Sequence, residues 1–202
     1  MTSLARPGGN ITGVSVEAGT DIWGKRLQVL LEAVPTAAKV GFLGSRQIWS
    51  LPQADALREA TQQLGISLLG PPIESPIQAE EYRRVLGAMA QEHVGGVIIS
   101  DQAENTNYRQ LIVDLVRTAK LPTIFPNREY FEVGALMAYG PPVSDGYRRL
   151  AGYIDQILKG ARPGDLPIYL ESKFDLLINL KTAKALGITI PPSLLVDASS
   201  SR

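Results

Sequence analysis

The chain has 202 residues, with 20 Lys and Arg against 20 Asp and Glu, and 45% of its positions are hydrophobic. A chain without cationic surplus is poorly equipped to neutralise a polyphosphate, so nucleic acid is not an expected partner. Zero cysteine excludes disulfides, thiolate metal sites, iron–sulfur clusters and thiol catalysis, and the single histidine, His93, leaves no histidine metal cluster. No apolar run approaches the roughly 18 residues of a membrane span. Residues 1–16 lack the apolar stretch of about 7–15 residues that marks a signal peptide, so none is expected in this chain.

Arg6-Pro7-Gly8-Gly9-Asn10 is a turn-rich opening. Thr20 or Asp21 then caps a helix that carries Trp23, Leu27, Leu30, Leu31 and Val34 on one face and stops at Pro35. Lys39–Leu43 reads as a short buried strand, closed by Gly44-Ser45. Pro52 falls in the first turn of a helix to Leu64, with Gly65 past its end, and Ile66–Leu69 is the next strand. Ser75, Pro76 and Gln78 have the spacing of N-cap, N1 and N3, which predicts a helix opening there with Ile77, Val85, Leu86 and Met89 inward. Gly95–Ser100 is almost wholly apolar, as suits a strand covered on both faces. A helix from about Asn105 to Thr118 and a strand over Leu121–Phe125 follow.

This alternation predicts an α/β fold, a doubly wound parallel sheet flanked by helices. Past Tyr130 the rhythm changes. Ala135–Tyr139 is a short strand stopped by Gly140-Pro141-Pro142, and Ser144 caps a long helix to Lys159. Leu166–Leu170 and Phe174–Asn179 read as strands, Lys181–Leu186 as a short helix with Gly187 after it, and the closing DASSSR as a polar tail.

In an open parallel sheet, ligands sit beyond the C-terminal ends of the strands. Three loops leave buried strands here: Gly44–Ser50, Ser100–Asn107 and Pro126–Tyr130. They offer Ser45, Arg46 and Trp49; then Asp101, Glu104, Asn105 and Asn107; then Asn127, Arg128 and Glu129. Donors, acceptors and one aromatic face around a crevice suit a small polar or zwitterionic ligand. Catalytic signatures are missing: neither GxGxxG, GxxxxGK[ST] nor GxSxG occurs, and His93 in QEHVGG fits the end of a helix. Glu80 and Glu81 share their helix with Arg83 and Arg84 and read as a solvated face; Asp101 with Glu104 is the one pair placed for acid–base work.

Several stretches together carry a family resemblance: RPGGNITGVS, KRLQVLLEAVP, FPNREYFEVGALMAYGP, DGYRRLAGYIDQILKGARPGDLPI and KFDLLINLKTAKALGITIPPSLL. The chain resembles the substrate-binding component of ABC-type uptake transporters, in the family that includes binders of aromatic amino acids. The resemblance implies a type I periplasmic binding protein fold, two α/β lobes joined by three crossovers and closing on a small-molecule ligand. It also implies no cofactor or catalysis, an ABC transporter permease as partner, and a periplasmic or otherwise extracytoplasmic location. Family members carry a leader and a whole N-terminal lobe ahead of the RPGGN turn, so the resemblance implies an N-terminally truncated member. Residues 12–133 with 166–195 would then form the C-terminal lobe, and 134–160 a crossover segment of the absent lobe. Leu136, Met137, Tyr147, Leu150, Ile154 and Leu158 would lack partners, which points to a homodimer through 134–160.

The expected ligand-binding residues are Ser45, Trp49, Asp101, Asn105, Asn127, Arg128, Glu129 and Tyr139; the resemblance matches Asp101, Asn127, Arg128 and Glu129 to loops facing the cleft, and Trp49 would either stack on the ligand or cover the lobe surface. Asp101 or Glu129 would pair a ligand ammonium, and Arg128 a carboxylate by a bidentate contact. The first loop, SRQIWSLPQ, departs from the Asn/Pro-rich turn common in the family. A sensory domain of the same fold, or an α/β enzyme with Asp101 or Glu104 as base, are the alternative readings.

Overall fold

The structure is a computed structural model, and it describes residues 3–15 and 19–197. In chain order its first half comprises β1 (Val14–Ser15), α1 (Asp21–Ala33), β2 (Lys39–Leu43), α2 (Arg46–Trp49), α3 (Pro52–Gln63), β3 (Ser67–Leu69), α4 (Ala79–Gln91) and β4 (Gly96–Ile99). The second half adds α5 (Ala103–Asn107), α6 (Arg109–Thr118), β5 (Thr123–Phe125), α7 (Arg128–Glu132), β6 (Met137–Gly140), α8 (Val143–Leu158), β7 (Tyr169–Leu170), β8 (Asp175–Ile178), α9 (Leu180–Leu186) and α10 (Pro192–Asp197). The chain divides into two compact units, 1–19 with 141–174 and 20–140 with 175–202. Of the polar tail, 198–202 lie outside the described residues.

The larger unit holds a six-stranded sheet in the order β3-β2-β4-β5-β6-β8. The first five strands are parallel and β8 runs antiparallel to β6. Side chains alternate across a strand, so each strand addresses both faces. On one face, Leu30 of α1 packs over Gly96, whose register partner is Val40, and Trp23 meets Phe42 edge-on at 5.6 Å. On the other, Met89 of α4 packs over Gly41, the partner of Val97. All four residues of β4 are buried, as its unbroken apolar run requires. The doubly wound parallel sheet read from the sequence is the sheet observed.

Several local readings change. The helix read as opening at Ser75-Pro76 begins at Ala79, with Gln78 as N-cap. The expected helix over 105–118 is two, broken at Tyr108 where ψ rises to 15°. Pro142, not Ser144, precedes the first turn of α8. The strand at Met137–Gly140 joins the large sheet between β5 and β8, so Leu136 and Met137 are buried instead of unpartnered. Asn179 caps α9 by accepting from the Thr182 N–H at 3.0 Å, and Gly187 ends it at a φ of +72°.

The smaller unit pairs β1 with β7 in parallel, Val14 opposite Tyr169. The Thr12 hydroxyl donates to Leu166 O at 2.8 Å, and the Tyr153 hydroxyl on α8 to Pro167 O at 2.7 Å. Arg149 stacks on the Tyr169 ring at 3.6 Å. The opposite side of α8 leaves Tyr147, Ile154 and Leu158 exposed.

Candidate functional site

Read along the sheet, the parallel strands run 2-1-3-4-5 in their own chain order, with the reversal between β2 and β4. That reversal is the topological switch point, where the loops leaving two neighbouring strands part in opposite directions and open a crevice. The loops leaving β2, β4 and β5 each turn at once into a short helix, α2, α5 and α7. All eight residues read from the sequence belong to these loops, their helices or the end of β6.

The first two loops are tied directly. The Ser45 N–H donates to Gln102 Oε1 at 2.8 Å, and the Ser45 hydroxyl caps α2 by accepting from Ile48 N–H at 3.3 Å. The Ser100 hydroxyl also donates to Gln102 Oε1, at 3.3 Å. Asn105 is fully buried and spent within the protein: its Nδ2 donates to Ser100 O and Oγ, both at 3.1 Å, and its Oδ1 accepts from the Tyr82 hydroxyl at 3.0 Å. Asn105 therefore shapes the second loop and has no polar atom left for a ligand.

A buried arginine fastens the remaining strand ends. Arg26 projects from the second turn of α1, 1% exposed, and lies over the Trp23 ring at 4.7 Å. Its Nη1 donates to Asp101 Oδ1 at 2.8 Å, its Nε to Tyr139 O at 3.0 Å and its Nη2 to Pro126 O at 3.4 Å. One guanidinium thus joins the ends of β4, β5 and β6. Burial works against charge on both partners, pushing Arg26 down and Asp101 up, while their attraction and hydrogen bond oppose it. The sequence reading missed Arg26 because Trp23, Leu27 and Leu30 already explain that helix face. Yet Arg26 lies three residues after Trp23, on the same face, and a charge within an apolar stripe was a signal. Gly140 is equally local: a Cβ there would stand 1.7 Å from Pro126 O, so this approach of β6 to β5 needs glycine.

Five buried polar side-chain atoms around these loops have no hydrogen-bond partner: Trp49 Nε1, Gln102 Nε2, Asn127 Oδ1, Glu129 Oε2 and Tyr130 Oη. A buried polar atom without a partner forfeits about 1–3 kcal/mol, so such a set is a place prepared for something else to bond. Two are donors, from the β2 and β4 loops; two are acceptors, from the β5 loop; the Tyr130 hydroxyl, on α7 after β5, can do either. Trp49 also meets Phe42 edge-on at 5.1 Å, with Arg58 over its other side at 5.3 Å, so the ring is held. Arg128 is exposed on α7. Burial pushes the phenols of Tyr82 and Tyr130 up, which keeps both neutral. Gln102, beside Asp101 in SDQAENTN, was legible as a loop polar residue but was passed over for its charged neighbour.

Elsewhere in this unit an apolar groove runs between α1 and α3, lined by Leu27, Leu31, Leu64 and Ile66. It opens at the N-terminal ends of the strands and contains none of the five unpartnered atoms. Among the described residues no group of three or more His, Asp or Glu is placed to hold a metal, and no helix is long and apolar enough to cross a membrane.

The family of ABC transporter substrate binding proteins matches residues 1–202. The chain belongs to that family. A tyrosine-binding protein of Clostridioides difficile is 23% identical over 191 residues, covering 93% of this chain and 53% of that protein. This chain therefore spans about half the length of that curated relative. A conserved domain protein from Vibrio cholerae superposes with a TM-score of 0.83 at 23% identity, over 99% of this chain and 66% of the other. An ABC domain from Streptococcus pneumonia, solved in complex with L-Trp, gives 0.81 at 26% identity, over 98% and 67%. The substrate-binding protein family is one of binders, and its members' fold is the periplasmic-binding-protein-type α/β sheet seen here.

Proposed function

We propose that this chain holds one side of a solute site in an ABC uptake receptor working outside the cytoplasmic membrane, and that its ligand is an amino acid. The observation that carries the reading is the set of five unpartnered buried atoms, two donors, two acceptors and one hydroxyl, around the loops leaving β2, β4 and β5. A zwitterion offers an acceptor end and a donor end, which is what such a set lacks. L-Trp in the Streptococcus structure and tyrosine in the name of the Clostridioides relative supply the first probes. On this reading the protein binds and releases its ligand without turnover, the permease is its partner, and the unit that contains α8 belongs to a second lobe. Asp101, Asn127, Arg128, Glu129 and Trp49 face the ligand side, with Asn105 and Tyr139 as framework.

A ligand that binds the folded state raises the unfolding midpoint by mass action, by about 2.7 kcal/mol at a hundredfold excess over Kd. Thermal unfolding of the chain with L-tryptophan, L-tyrosine, other amino acids and simple sugars tests the reading. A dose-dependent rise confined to amino acids is expected. A cooperative melt that no amino acid moves would refute it.

A further inference from the structure

One amide decides how the proposed ligand lies. A backbone N–H can only donate, so the atom of Gln102 facing Ser45 N at 2.8 Å is the oxygen Oε1. The Ser100 hydroxyl reaches the same oxygen, and Asn105 Nδ2 donates to that hydroxyl in turn, leaving its proton for Gln102. The carboxamide is therefore locked in one orientation. Its Nε2 is directed away from both anchors, carries two N–H bonds, and is buried without a partner in a side chain 9% exposed. Trp49 Nε1 is the other buried donor in the same condition, from the neighbouring β2 loop. The acceptors in that condition, Asn127 Oδ1 and Glu129 Oε2, come from the β5 loop, and the Tyr130 hydroxyl, which can donate or accept, lies beside them in sequence on α7.

The groups that can only donate thus stand at the β2–β4 switch point, and both groups that can only accept stand at β5. Resting on the solute-receptor reading, we infer that Gln102 receives the acid end of the ligand: Nε2 donates to a ligand carboxylate, Trp49 Nε1 assists, and Asn127 with Glu129 accept from the ammonium. This orientation differs from the one expected from sequence. Arg128 is exposed on α7 and is not needed for the carboxylate, and Asp101 Oδ1 is held by Arg26. Gln102 is then the residue that selects a carboxylate over an amide, ester or bare amine at that end. A carboxylate accepts both N–H bonds, and replacing the amide by a second carboxylate sets like charges face to face.

The test uses the whole chain and three probes: L-tryptophan, indole-3-propionate, which lacks the ammonium, and tryptamine, which lacks the carboxylate. The Gln102 side-chain NH2 resonance pair, identified by its loss in Gln102→Glu, is followed by ¹H–¹⁵N NMR. It is expected to move with L-tryptophan and indole-3-propionate and to stay in place with tryptamine. Gln102→Glu keeps an oxygen for Ser45 and Ser100, and should weaken both acids at least tenfold without weakening tryptamine. A resonance that no carboxylate moves, or that tryptamine moves equally, overturns the inference, as does an equal loss for all three probes in the variant. Should the variant fail to fold, the resonance pair is assigned in the wild type by through-bond and through-space connectivity to the Gln102 backbone amide, and it then decides alone. Movement with indole-3-propionate but no binding of any amino acid would uphold the carboxylate contact and sink the amino-acid reading. Amino-acid binding with a still Gln102 resonance would do the reverse, and silence from every probe sinks both.

Discussion

At the scale of single residues, Arg26 explains why the strand ends hold still. Its partners are one half-exposed carboxylate and two backbone carbonyls, with Pro126 among the buried residues. Removing the guanidinium takes a charged donor away from each of those carbonyls, at about 1.5–3 kcal/mol per hydrogen bond. Removing the carboxylate leaves a charge whose remaining partners are still present. Asp101 itself is 51% exposed, so the ion pair is screened and adds about 1 kcal/mol or less. Arg26→Met is therefore expected to lower stability by about 3 kcal/mol in urea unfolding, and Asp101→Asn by a third of that or less. The opposite ranking would mean that the ion pair, not the bracing of carbonyls, is what Arg26 contributes. Seven of the eight sequence-read residues lie where the strand-end rule puts them, because loops that leave buried strands are legible from apolar runs alone. What could not be read was which loop atoms are already spent. Asn105 and Gln102 sit three residues apart in one polar loop, and only the fold shows the first saturated and the second half free.

At the scale of elements, the sheet was readable because its strands are short apolar runs separated by capped helices. Ser75 has N-cap chemistry, but other hydrogen bonds fix the loop before α4. There the Glu81 carboxylate accepts from the Glu74 N–H at 2.8 Å and from Arg84 at 2.6 Å. The hydrogen bond from Arg84, followed by that from the Glu74 backbone, holds the Glu81 carboxyl down to about 2, from an ordinary value near 4.5. A carboxyl depressed in the folded state adds stability above its unfolded value and loses it as pH falls through the folded value. The contribution of Glu81 should thus be whole above about pH 5 and fade toward pH 2. Urea midpoints for wild type and Glu81→Gln are expected to stand apart at pH 6 and to converge by pH 2–3. A gap that stays constant, or widens in acid, would show that Glu81 acts through packing instead of charge.

At the scale of the molecule, the two units differ in how well they cover their apolar residues. The larger has a filled core on both faces of its sheet. In the smaller, α8 contributes only Gly146 to the fully buried set, although the helix is strongly two-sided. Tyr147, Ile154 and Leu158 stand 69%, 55% and 82% exposed, and with Ala151 they follow the i, i+4, i+7, i+11 spacing of one stripe. Of the six residues the sequence reading expected to be unpartnered, Tyr147, Ile154 and Leu158 are exposed, Leu150 is half-buried, and Leu136 and Met137 are buried in the large sheet. The stripe is also a palindrome. Two antiparallel copies set Tyr147 against Leu158 and Ala151 against Ile154. Burying a large apolar side chain is worth about 1.5–3 kcal/mol, so the six such residues of a helix pair, Tyr147, Ile154 and Leu158 from each, exceed what rim charges could oppose. Sedimentation equilibrium of the chain is expected to show a concentration-dependent dimer. Ile154→Glu with Leu158→Glu should make it monomeric at the same concentrations with its melting midpoint little changed, because neither side chain is buried within the chain. A wild type that stays monomeric at millimolar concentration would show that the stripe serves a different partner, and a dimer that survives both substitutions would place the contact on another surface.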